Sequence, residues 1–299
     1  MMLFLLFSLT TKTFLTEFNL VNMMRNVSVI GIVAVGMTLL FIAGEVDLSV
    51  GSVLGFLTII FGELAAGLGL NPWLTAALVI IFGVGTGLLN GFIRTLLNIP
   101  SFIVTLAGWT AYRSLCLIVS GDRPMSLTPV GTFYQVTGGA LFHIPCLILW
   151  MLATVLVGGI VLSQTRFGYH IFATGGNLEA AQDAGIHTNR VKLAAFAITG
   201  GVCGLAAALL VGYLHVAEPT TGAGLVFLVI GAVVVGGAEL TGGRGSMIGT
   251  FIGTLIIAVL TGGMVLLGFS QGMADVATGA LIVAVGTIDL LLRRAGDRR

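Results

Sequence analysis

Between Val27 and Leu292 the chain is written as nine apolar runs: about Val27–Gly44, Leu48–Leu70, Trp73–Ile93, Ser101–Ser120, Ile144–Ser163, Val191–Leu214, Leu225–Leu240, Met247–Leu267 and Met273–Leu292. Most approach the roughly 20 residues that a helix needs to cross a hydrocarbon core about 30 Å thick. In that medium every backbone amide must find its partner inside its own helix, so such a chain folds as a bundle of spans. Composition agrees, with 57% hydrophobic and 8% charged residues, against about a quarter charged in soluble domains. The opening MMLFLLF is apolar, too short to span, and lacks the basic flank of a signal peptide. It reads as the tail of a first span whose beginning is missing or misassigned. The expectation is an all-α polytopic bundle of about ten spans, residues 1–299 forming one transmembrane domain.

Only Arg166 to Lys192 becomes polar, charged and glycine-punctuated at once. A short helix is predicted inside it, about Leu178 to Ala184. Asn177 is placed to cap its start, Glu179 suits the positive end of its dipole, and Gly185 suits the left-handed position after its end. Two turns are marginal alone in water, so something must pack against them. Glu179, Gln182 and Asp183 offer an outward face, while Ala180 and Ala181 are small enough for a groove. A docking element fits this pattern; so does a capped turn that merely joins two spans.

Charge placement orients the bundle. With a cytoplasmic C-terminus, Arg94, Arg166, Arg190, Lys192, Arg244, Arg293, Arg294, Arg298 and Arg299 fall inside, nine of the thirteen basic residues. Lys12, Arg25, Arg113 and Arg123 fall on or toward the outside. The positive-inside rule favours this arrangement, which puts loop 165–190 in the cytoplasm and the loop from Gly121 to His143 outside as a cap or turn-rich excursion. The net charge of +1 gives no sign of a nucleic-acid partner.

An internal echo runs through the chain. A slide of 194 positions aligns Glu45 with Glu239, Gly51 with Gly245, Ser52 with Ser246 and Gly55 with Gly249. Parallel duplication with broken helices in corresponding places is one way transporter folds are built. The echoing stretches, Gly44 to Ser52 and Gly236 to Ser246, carry Glu45, Asp47, Ser49, Ser52, Glu239, Thr241 and Arg244 beside hydrocarbon-like sequence. With Asn90 inside a span they are the candidate lining of a pathway, since polar groups at such depth face a partner, a cavity or water. The same acids also suit cytoplasmic turns that cap the next helix. Glycines four apart, as at Gly51 and Gly55, Gly87 and Gly91, Gly200 and Gly204, and Gly245, Gly249 and Gly253, let helix backbones approach closely.

Nothing in the chain supplies catalysis. Cys116, Cys146 and Cys203 and the four histidines are scattered, without metal spacing or a disulfide frame. GGRGSMIG is no phosphate cradle, and neither an HExxH nor a Ser and His constellation is present. An ion-driven carrier wants acids well inside spans, whereas these sit mostly at span ends or in loops.

Four stretches then carry a resemblance: GMTLLFIAGEVDLSVGS (Gly36–Ser52), IPSFIVTLAG (Ile99–Gly108), TRFGYHIFATGGNLEAAQDAGI (Thr165–Ile186) and GAVVVGGAELTGGRGSMIGTFIG (Gly231–Gly253). Their order and spacing resemble the membrane permease of ribose-type ABC sugar importers over nearly the whole chain. The resemblance implies a ten-helix inner-membrane permease that pairs with a second copy or a related subunit. It implies cytoplasmic ATPase subunits that hydrolyse ATP, an external substrate-binding protein that delivers a sugar, and no cofactor. The Glu179-Ala180-Ala181 segment with Gly185 resembles the family's coupling loop, which docks on the ATPase. Related permeases carry autoinducer-2, nucleosides or branched-chain amino acids. One departure stands out: the family usually has Gly-Ile where this chain has Glu45-Val46.

Overall fold

Every apolar run becomes helical. The computed structural model describes the backbone of residues 2–296 and the side chains of residues 3–287. In chain order the helices are α1 (Met2–Thr10), α2 (Glu17–Ile42), α3 (Val50–Gly62, prolonged by a π-helical turn, Glu63–Gly67), α4 (Pro72–Leu97), α5 (Ser101–Ser120), α6 (Thr132–Gly138), α7 (Cys146–Gln164), α8 (Arg166–Gly176), α9 (Leu178–Asp183), α10 (Thr188–Leu214), α11 (Leu225–Val235), α12 (Met247–Leu266) and α13 (Gln271–Gly296). Among the described residues seven are long and apolar enough to cross a membrane: α2, α3 with its π turn, α4, α5, α7, α10 and α12. Helix α11 and residues 271–287 of α13 are apolar but shorter, and α1 has nine residues. The last arginines invoked for orientation, Arg298 and Arg299, lie outside the described residues.

Local chemistry fixes the ends. Proline at the first position suits α4, and the Asn71 side chain accepts from the Trp73 amide at 2.9 Å. Helix α5 begins after Pro100 and stops at Gly121 in the left-handed region (φ 56°). The loop from Gly121 to His143 is more than a cap. It holds α6 and strand β1 (Met125–Ser126), and the short hairpin of β2 (Ala140–Leu141) and β3 (Ile144–Pro145) closes its far end. Strand β1 pairs antiparallel with β4 (Val216–Ala217), Met125 opposite Ala217.

Helix α2 is the axis. From Val27 to Ile42 it is buried on all sides, with α7, α8, α10, α11 and α12 packed around it. Helices α4 and α10 lie closer than any side chains would allow: a methyl placed on Gly200 would overlap the Gly83 carbonyl, and one on Gly87 the Phe196 carbonyl. Small residues on both faces permit that approach, the usual route to tight packing in lipid. The outward faces of α4, α5 and α7 expose Phe82, Ile118 and Leu156, as lipid-facing surfaces do.

Two of these helices stop in the same way. At the end of α2 the Glu45 amide donates to Leu40 and the Gly44 amide to Phe41, both at 2.9 Å, with Gly44 at φ 75°. At the end of α11 the Ala238 amide donates to Val233 at 3.1 Å and Gly237 to Val234 at 2.9 Å, with Gly237 at φ 85°. This is one C-terminal glycine cap made twice, at Gly44 and again 193 positions on. The echo therefore survives as helix, break and helix. It does not survive residue by residue: Gly51 and Ser52 lie inside α3, whereas Gly245 and Ser246 precede α12, Ser246 being its N-cap.

A candidate coupling and translocation site

The stretch Arg166 to Lys192 holds two helices rather than one. Thr165 caps α8 by accepting from the Gly168 amide at 3.2 Å, and Phe167, Ile171 and Phe172 turn its apolar face onto α2 and α7. Helix α9 then begins at the predicted Asn177, whose side-chain oxygen accepts from Ala180 at 3.0 Å. It ends on Gly185 at φ 83°, with Ile186 donating to Ala181 at 3.0 Å and Gly185 to Gln182 at 2.9 Å. Glu179, Ala180, Gln182 and Asp183 are exposed. Ala181 faces inward, with only 4% of it exposed. It seats α9 on its own chain, and Ala180 is left as the small residue facing out.

Asp47, Ser49 and Asn90 come together, and Ser52 lies one turn into α3, buried. Asp47 accepts at one carboxylate oxygen from the Ser49 amide at 2.8 Å and the Ser49 hydroxyl at 2.5 Å. Asn90 bridges from α4, donating to Ser49 at 2.9 Å and to the other Asp47 oxygen at 3.5 Å. Tyr112 of α5 donates to the Asn90 oxygen at 3.2 Å. Every donor to Asp47 is neutral, so burial pushes its carboxyl above the ordinary range, with Ser49 and Asn90 pulling partly back. This network ties the α2–α3 connection to α4 and α5.

Glu45 does otherwise. One carboxylate oxygen receives Arg94 of α4 at 2.7 Å and Lys192 of α10 at 2.6 Å, while the next residue's amide, Val46, donates to the Ser101 hydroxyl oxygen of α5 at 3.1 Å. Burial alone would raise this carboxyl; the Arg94 hydrogen bond and the Lys192 charge outweigh it and hold it below its ordinary value. This buried carboxylate thus arrives with its own two cations. Sequence reasoning had Arg94 and Lys192 only as topology markers, because their pairing spans distant parts of the chain.

Glu239 and Thr241 stand apart from these groups. Arg244 approaches Glu239 at 3.4 Å and Thr241 donates to it at 3.5 Å, with Thr241 and Arg244 exposed. Contact between the two breaks is made by backbone. The Gly243 amide donates to the Ile42 carbonyl at 2.9 Å. A methyl on Gly175, at the end of α8, would overlap the same carbonyl and fall 2.7 Å from the Gly243 nitrogen. The end of α2, the turn after α11 and the residues leading into α9 therefore meet at one point. Among the described residues no group of His, Cys, Asp and Glu can hold a metal.

An apolar bundle broken twice, with a capped surface helix joined to both breaks, is a membrane permease in architecture. Residues 19–286 match the family described as branched-chain amino acid transport system / permease component. The chain is 36% identical over 261 residues to the ribose import permease protein of Bacillus subtilis (strain 168), covering 85% of this chain and 79% of that protein. It is 35% identical over 257 residues to the L-arabinose ABC transporter permease protein of Azospirillum brasilense, covering 86% and 75%. The ribose import permease protein of Haemophilus influenzae is 34% identical over 253 residues, covering 84% and 78%. No solved structure matches. The chain belongs to this permease family, as a multi-pass bacterial inner-membrane protein of the ribose-importer type.

Proposed function

We propose that the chain is the membrane-spanning subunit of an ATP-driven importer that moves a monosaccharide, a pentose or a hexose, across the cytoplasmic membrane by alternating access. The observation that carries this reading is the glycine junction: Gly175, Ile42 and Gly243 place the lead-in to α9 against both broken segments. In this reading loop 165–190 lies in the cytoplasm, and Asn177, Glu179, Ala180, Asp183 and Gly185 form and shape the surface that a separate ATPase grips. Ala181 anchors that surface from below. Movement of α9 with the ATPases passes to the ends of α2 and α11, and the breaks give way between two packed arrangements. Nucleotide drives the change because the ATPases contact α9 differently in their two states. Asp47, Ser49, Ser52, Asn90 and Glu45, with Glu239 and Thr241 on the second break, border the path. A second permease copy completes the membrane unit, and an external binding protein delivers the cargo.

The sugar is argued from the relatives, which are import permeases for ribose and L-arabinose. The family description names branched-chain amino acids, so both cargo classes belong in the test. With the permease reconstituted beside its ATPase and binding protein, ATP-dependent uptake of labelled D-ribose or L-arabinose is expected and uptake of L-leucine is not. Glu179→Arg is expected to weaken ATPase co-purification and lower uptake at least tenfold, since it reverses charge on an exposed docking face. ATPase binding unaltered by Glu179→Arg, with full uptake, would remove α9 from the coupling role.

A further inference from the structure

A cavity of about 540 Å³ opens at the end of the bundle opposite the breaks, between the start of α2, the ends of α10 and α12 and the start of α11. Its wall has two levels. The mouth is polar, with Asn19, Asn22, Arg25 and Asn26 from the first turns of α2 and Gln271 from the start of α13. The spacing of the asparagines, three and then four residues, gathers them on one helix face. Farther in the wall is apolar: Val29 and Ile30 follow on α2, and Leu210 of α10, Leu228 of α11 and Ala258 of α12 lie inward of their helices' ends.

Arg25 sets the charge. It is half-buried, and its guanidinium lies over the Tyr213 ring, 5.5 Å from the centroid. Its Nε is buried and meets no hydrogen-bond acceptor, and no carboxylate among the described residues pairs with it. An orphaned buried donor is destabilising until an acceptor arrives. A guanidinium answers a phosphate best, offering it two parallel N–H donors. No Asp or Glu lines the cavity; Asp275, which Gln271 holds at 3.0 Å, is not among the lining residues. An ammonium group beside that phosphate therefore finds no counter-charge, and the Tyr213 face already lies against Arg25. A small hydrophilic anion would satisfy Arg25 and leave the apolar wall against water, whereas an acyl chain covers that wall. The amphiphile that joins both parts is the solvent of a multi-pass membrane protein, and basic pockets between spans are a known form of lipid headgroup site.

We infer that this cavity is a binding site for an anionic phospholipid with a hydroxylated headgroup, of the phosphatidylglycerol kind. Its phosphate meets Arg25, its headgroup hydroxyls meet the Asn22 and Asn26 amides, and the upper part of one acyl chain lies along Val29, Ile30 and Leu228. The site belongs to the leaflet opposite α9, and it stands on membrane placement alone, apart from the importer reading.

The test uses the full chain, purified in neutral detergent, with phosphatidylglycerol, phosphatidylcholine and phosphatidylethanolamine of identical dioleoyl chains. Native mass spectrometry is expected to show half-saturation by phosphatidylglycerol at a concentration about tenfold below that of the other two, the worth of one charge-assisted contact. Arg25→Gln, folded by the criterion of an unchanged melting temperature in phosphatidylcholine, is expected to erase the difference. Lipid attracted to the surface in general would keep its preference in that variant, because every other basic residue remains. Equal retention of the three lipids by the wild type, or an unaltered preference in Arg25→Gln, overturns the site. Displacement of phosphatidylglycerol by inorganic phosphate or glycerol phosphate at equal concentration overturns the lipid in favour of a free anion, and tighter retention of phosphatidylethanolamine overturns the charge class. Should Arg25→Gln not fold, Asn22→Cys carries the test: Cys116, Cys146 and Cys203 are buried, so a polar thiol reagent reads the new cysteine. Phosphatidylglycerol is expected to slow that modification about threefold or more relative to phosphatidylcholine, as occupancy of the cavity requires; equal rates overturn the site.

Discussion

The Glu45 carboxylate serves two cations, and its removal leaves Arg94 and Lys192 facing one another with Lys192 only 6% exposed. Breaking a buried ion pair from one side costs about 3–5 kcal/mol, because the desolvated charge that remains has no partner. Glu45→Ala is therefore expected to lower the melting temperature in detergent sharply. Adding Lys192→Met should recover part of the loss, since it removes the more buried of the two stranded cations and leaves Arg94, whose side chain is 15% exposed; a double variant no better than the single would refute the pairing. Acid should act in the same direction. The folded-state carboxyl is held below its ordinary value, so its contribution is complete at neutral pH and fades as pH falls through and below the carboxylate range. Wild type is expected to lose more stability on acidification than the double variant. Glu45 was visible in the sequence as an acid between two spans. Its cations were not, because no spacing rule connects a turn to the far ends of two later helices.

Helix α9 has six residues, and at that length its two caps decide whether it persists. Asn177→Ala removes the N-cap acceptor and should cost about 1 kcal/mol. Hydrogen exchange is the direct measurement: the Ala180 amide, which Asn177 holds at 3.0 Å, should lose protection while amides in the middle of α10 keep theirs. Unchanged protection at Ala180 would mean that packing through Ala181 alone holds α9. This element was legible because its signals are local, an Asx cap, an acid in the first turn and a glycine after the last. Helix α5 was legible for the same reason, falling on Ser101–Ser120 as expected between Pro100 and Gly121. Helix α8 was missed, as its two terminal glycines and mixed polarity read as loop and its apolar face needs α2 and α7 to make sense. The asparagine face of α2 escaped for a related reason. Asn19, Asn22 and Asn26 precede the apolar run that marked the span, and only the folded bundle shows that α2 already begins at Glu17.

Across the whole molecule, hydrophobicity foretold which segments would be helices and left open which of them would sit at the centre. The runs are comparably apolar, yet α2 has 89% of its most apolar window buried and α5 has 22%; neighbours decide burial, and hydropathy does not encode neighbours. The junction of the three loops was equally hidden, since glycines that meet by backbone leave no side-chain signature. It also gives the two ends of the proposed coupling path different failures. Glu179→Arg acts where the ATPase would hold, so it should weaken the complex. Gly175→Ala acts behind that grip: its methyl would overlap the Ile42 carbonyl and press on the Gly243 amide, prising the lead-in to α9 from both breaks. Because Glu179 and Asp183 stay exposed on α9, the ATPase should still co-purify and hydrolyse ATP with Gly175→Ala, while sugar moved per ATP hydrolysed falls about tenfold or more. Tight coupling requires that the two arrangements of the breaks be selected through this contact. A Gly175→Ala importer with an unchanged ratio of uptake to hydrolysis would show that motion reaches the spans by another route.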